Sequence, residues 1–115
     1  MNEYKVIFHV DEMNKWKLVL ANTRNLLNAL NEHTLIVEVL ANSEAVKYFI
    51  QTNLNEDDLF VLDNLSKNVT FSACNNSLKS LSIEPNSLLT YVNIVPSGVA
   101  ELTIKQHQNF AYIKP

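Results

Sequence analysis

Two runs of the chain, TLIVEVLA at residues 34–41 and YVNIV at residues 91–95, are apolar almost without interruption. A strand of that kind has no face to turn toward water, so it belongs in a sheet covered on both sides. Further β-rich runs stand at residues 4–10 (YKVIFHV), 69–73 (VTFSA) and 110–114 (FAYIK). Helical patterns separate them. Across residues 13–31, Trp16, Val19, Leu20, Thr23, Leu26, Leu27 and Leu30 recur at three- and four-residue intervals, the period of a buried helix face. Ser43 is placed to cap a shorter helix, EAVKYFI. Asn55 or Asp57 opens another helix that carries Leu59, Leu62 and Leu65, and Asn68 suits a left-handed stop after it. NSLKSLSI follows the third strand, Pro85 fits the first turn of PNSLL, and residues 98–108 form the last helix. Strand alternating with helix predicts an α/β fold. We expect a three-layer α/β/α arrangement on a mainly parallel five-stranded sheet, as one domain over residues 1–115.

Composition narrows the function classes. The chain has 115 residues, and at that length one core buries roughly two-thirds of the unfolded surface. With 12 acidic against 9 basic residues, its net charge is -3, and no dense Lys/Arg patch supports nucleic-acid binding. No apolar run approaches the ~20 residues that span a bilayer, so no membrane partner is expected. The opening MNEYKVIFHV lacks the basic region and apolar core of a signal peptide. A single cysteine makes no internal disulfide and no Cys-rich metal framework, which fits a reducing, cytoplasmic setting. His9, His33 and His107 fall on different elements, so no metal site is expected. There is no G-x-G-x-x-G and no phosphate-loop lysine, and no cofactor is expected either. Only one glycine, Gly98, is present. Asparagine, which tolerates the left-handed conformation better than most residues, stands at or near the breaks: Asn42, Asn53, Asn55, Asn68, Asn75, Asn76 and Asn109.

In a doubly covered parallel sheet, ligands bind outside the carboxyl ends of the strands. Those ends carry His9 and Asp11, Asn42 and Ser43, Cys74 and Asn75, and Pro96, Ser97 and Gly98. Cys74 ends a strand and opens a helix, where free N–H groups and the positive end of the dipole favour thiolate. The Asn and Ser that follow it offer further donors. The alternative is a buried, inert cysteine acting as a small hydrophobe. His9 reads either as a base beside the thiol, oriented by Asp11, or as a strand residue with its ring near the core. Ser97 and Gly98 either present N–H groups to an anion or form a plain strand-to-helix turn. Trp16 and Tyr48 lie on helical faces and read as core or interface. Glu38, inside an apolar strand, marks a sheet edge, an oligomer contact or a paired charge.

The order KVIFHVDE, NLLNAL, LIVEVLANSEAV, VTFSACNNSLKSLSI, NIVPSGVAEL and FAYIKP resembles the DsrE/DsrF-like family of small sulfur-relay proteins over nearly the whole chain. The resemblance implies a three-layer α/β/α fold and a homo-oligomer, trimer or hexamer. It also implies that Cys74, after the third strand, takes sulfur as a persulfide from donor proteins or thiols and passes it to acceptors. One departure is local: this chain reads Asn42-Ser43 in NSEAV, where many relatives have Asn-Gly or His-Gly. A lone cysteine has no second thiol with which to resolve a persulfide, so partners must deliver and remove the sulfur.

Overall fold

The computed structural model describes residues 2–115. Five strands, β1 (Glu3–Val10), β2 (Thr34–Ala41), β3 (Val69–Cys74), β4 (Asn93–Val95) and β5 (Ala111–Ile113), form one sheet in the order β4-β3-β2-β1-β5. Every pairing between them is parallel. The helices are α1 (Trp16–Ala29), α2 (Glu56–Leu65), α3 (Asn75–Ser80) and α4 (Gly98–His107).

The strand order explains the layers. From β1 to β4 the chain steps across the sheet in one direction, then it returns past β1 to place β5 at the far edge. Right-handed crossovers therefore put α4 on the opposite face from the earlier helices. The alternation of side chains follows the same division. Val6, Val37 and Val69 stand in register on one face, and with Phe8, Val39 and Phe71 they pack against Trp16, Val19, Phe49, Leu62 and Leu78. The other face presents Ile7 and Leu40, which cluster with Val95, Leu102 of α4 and Phe110.

Several local expectations change. The segment after β2 is a 3-10 helix over Ser43–Phe49 rather than an α-helix, and Asn42, not Ser43, stands at its cap. Ser43 itself has φ 53°, a left-handed geometry that costs a non-glycine residue about 1–2 kcal/mol. The tighter winding still delivers Ala45, Val46 and Phe49 to the core. Met13–Lys15 form a 3-10 turn ahead of α1, and Pro85 leads a single 3-10 turn, Pro85–Ser87. Of the two candidates, Asn55 rather than Asp57 caps α2, its side chain accepting from the Asp58 N–H at 2.8 Å. Asn68 is not left-handed. That role falls to Ser43, Ser82 and Asn109 among the described non-glycine residues. β4 begins at Asn93 rather than Tyr91, because Val92 turns its N–H to the Leu89 carbonyl instead of the sheet.

Candidate functional site at the carboxyl edge of the sheet

β3 runs one residue beyond VTFSA and ends at Cys74, which is also the cap position of α3. The thiol is 5% exposed. The Gly98 N–H donates to its Sγ at 3.2 Å. The Ser77 hydroxyl accepts the Ser43 N–H at 2.8 Å, which leaves its own O–H to donate to the sulfur. Burial pushes the Cys74 thiol up. The Ser77 hydroxyl and the backbone N–H groups of Ser77, Gly98 and Asn76 outweigh burial and hold it below its ordinary value. The sulfur is thus enclosed, yet surrounded by donors that favour its anion.

Gly98 makes this enclosure possible. Its backbone is not left-handed, so the reason for glycine here is close approach rather than φ. A Cβ at this position would stand 3.2 Å from the Cβ atoms of both Asn42 and Cys74 and 3.5 Å from Cys74 Sγ. Ser97 caps α4 with its oxygen, accepting the Ala100 N–H at 3.3 Å. Its hydroxyl therefore serves the helix that carries Gly98 and is not committed to the sulfur. Asn75 opens α3 with a half-buried side chain.

His9 lies on the α4 face of β1, in register with Leu40. Its Nε2 is 2.9 Å from Asn42 Oδ1, and its Nδ1 is 2.7 Å from the Tyr112 hydroxyl. An amide oxygen accepts only, so Nε2 carries a proton and Nδ1 is free to accept from Tyr112. No hydrogen bond joins His9 to Cys74 among the described residues, and Asn42, packed beside Gly98, stands on the path between them. Asp11 does not orient the ring. It pairs instead with Lys114 at 3.4 Å. Tyr112, expected only as an edge-strand aromatic for subunit contact, does that work from the edge strand β5. Its only signal was an aromatic in a short terminal strand.

The family model of the DsrE/DsrF-like family matches residues 8–115. The chain belongs to the DsrE/DsrF-like family. Its fold superimposes on the structure of the protein of unknown function MTH1491 from Methanobacterium thermoautotrophicum, with a TM-score of 0.86 and 30% identity, covering 97% of this chain and 99% of that one. It also matches the ychN protein from E. coli, with a TM-score of 0.77 and 15% identity over 97% of this chain and 99% of that one. No curated protein sequence matches it. Within this DsrE-like fold, no helix among the described residues is long and apolar enough to cross a membrane.

Proposed function

We propose that this DsrE-like chain is a sulfur carrier, holding sulfane sulfur as a persulfide on Cys74. The observation that carries the reading is the set of donors directed at Cys74 Sγ, which lowers its pKa despite burial. In the loading step the Cys74 thiolate attacks the outer sulfur of a donor persulfide. The Sγ–S bond forms, the donor's S–S bond breaks, and the donor thiolate leaves with the electron pair. Unloading is the same displacement by an acceptor thiolate, so no oxidant or reductant is consumed. With one cysteine in the chain, both donor and acceptor are other proteins or thiols, in a reducing cytoplasm. His9, set by Tyr112 and Asn42, assists proton movement at the rim, and Asn42, Asn75, Ser97 and Gly98 shape it. The persulfide is tested by cyanide, which removes sulfane sulfur as thiocyanate. One equivalent per loaded chain is expected and none from Cys74→Ser; no thiocyanate from the wild type would refute the reading. The near-complete burial of Cys74 favours a second reading, an inert cysteine in a ligand-binding or interaction protein, and the same assay separates the two.

The protein is further proposed to act as a homo-oligomer, a trimer or hexamer. Among the described residues, α4 is the one helix in the core packing of its face of the sheet, and Ile36, Val99, Ile104 and Tyr112 remain 40–66% exposed on that side. The edge strands β4 and β5 are three residues each and present open pairing positions. A neighbouring copy would cover both and bring Cys74 rims near subunit boundaries. Light scattering on a size-exclusion column should give three or six times the 13.1 kDa chain mass. A single species at the chain mass would refute it.

A further inference from the structure

A cavity of about 570 Å³ opens between α1 and α2, in the helical layer on the opposite face from α4, and none of its lining comes from the Cys74 site. The volume lies within the range of small-molecule sites, roughly 300–1,000 Å³. Met13, Trp16, Leu20 and Val61 give it an apolar interior. Its floor is firm: Trp16 stacks on Tyr48 with ring centroids 4.6 Å apart, and the indole N–H is held by the Ala45 carbonyl at 3.0 Å.

The charges around the opening are unequal in availability. Asp58 is engaged, accepting the Tyr48 hydroxyl at 3.1 Å. Burial first, and the Asp58 carboxylate next, keep that phenol protonated far above its ordinary value. Lys17 and Arg24 also line the cavity, are exposed, and form no ion pair among the described residues. They lie seven residues apart, two turns along one side of α1, about 10 Å. Against the one carboxylate of the lining, Asp58, these two cations leave the lip net positive by one charge over an apolar interior, a local reversal on a chain whose net charge is -3.

We infer that this groove binds a small organic anion with a flat apolar body, the body lying against Met13, Trp16, Leu20 and Val61 and the anionic group meeting Lys17 and Arg24. The site is independent of sulfur carriage. Trp16 is the chain's one tryptophan, so its indole N–H gives a single reporter resonance at the cavity floor. The full chain, labelled with nitrogen-15, is titrated with indole-3-acetate and, separately, with its neutral amide. Saturable shifts of the Trp16 indole and of α1 amides are expected with the acid, with a Kd of about 0.1–1 mM. The amide should bind about tenfold more weakly, because it lacks the charge-assisted contact. The double variant Lys17→Gln/Arg24→Gln should lose about the same factor for the acid and nothing for the amide. Both side chains are exposed and unpaired, so the fold should survive, as its own spectrum would verify. Absence of a saturable Trp16 shift, equal binding of acid and amide, or undiminished binding by the double variant would each overturn the inference.

Discussion

Replacing Glu38 with glutamine should stabilise the protein above pH 7, by about 1–3 kcal/mol, and do little below pH 5. Glu38 points from β2 into the face under α4 and is 3% exposed. Its Oε1 is 3.8 Å from Lys105 Nζ, and its Oε2 finds no hydrogen-bond partner among the described residues. Burial is the main force on it, followed by the neighbouring Glu101. Together they exceed the help of Ser72 and Lys105, and the carboxyl is pushed up to about 7. The sign of the effect follows. The unfolded chain loses this proton in the usual carboxylate range, whereas the folded chain holds it to about 7. Folding stability is therefore greatest below the unfolded value and falls as pH rises through that window. Glutamine keeps the shape and a donor toward Glu101 but carries no charge to bury. Denaturant unfolding of both proteins between pH 5 and pH 8 should give curves that diverge as pH rises. A constant difference, or a less stable glutamine variant at pH 8, would contradict this account of Glu38.

Gly98→Ala should raise the Cys74 pKa and slow thiol alkylation at neutral pH by about tenfold. The added methyl meets Asn42 Cβ and Cys74 Cβ at 3.2 Å, closer than ordinary packing, so the start of α4 must retreat. The 3.2 Å bond from the Gly98 N–H to Sγ lengthens with it. A hydrogen bond to a charged group contributes about 1.5–3 kcal/mol, one to two pKa units. Stability should fall by only about 1 kcal/mol, since overpacking is partly offset by the better helix propensity of alanine. A pH series of alkylation rates measures the shift. An unchanged midpoint would mean that the Gly98 amide does not support the thiolate.

The central strands β1, β2 and β3 were legible because buried parallel strands leave a continuous apolar signature, whereas YVNIV misled: β4 is a three-residue edge strand whose Asn93 and Ile94 are exposed. The expected bounds of β2 agree with the structure residue for residue. The strand-end position of Cys74 followed from residue type and local order, the cap of α2 was narrowed to Asn55 or Asp57, and the Gly98 N–H, read as free for an anion or part of a plain turn, goes instead to the Cys74 sulfur. Ser77, the serine following Cys74, does lie among its donors. What the sequence could not disclose depends on residues distant in the chain. The bond from Tyr112 to His9 spans 103 positions, and the diversion of Asp11 to Lys114 is of the same kind. The winding of Ser43–Phe49 was hidden because Ser43 takes the left-handed conformation without being glycine. Ser43 is thus a strained serine whose N–H fixes Ser77 beside the sulfur. Glu38 was recognisable as anomalous, but its neighbours Lys105 and Glu101 come from α4, and only the return crossover brings that helix over β2.

The central claim is that Cys74 carries sulfur, and intact mass spectrometry tests it most directly. The wild-type chain is exposed to a small-molecule persulfide donor, freed of excess donor, and weighed beside Cys74→Ser under the same treatment. A gain of one sulfur atom per wild-type chain, reversed by a reductant, is expected, with no gain in the serine variant. A wild-type chain whose thiol alkylates under native conditions but whose mass does not change after donor treatment would contradict it.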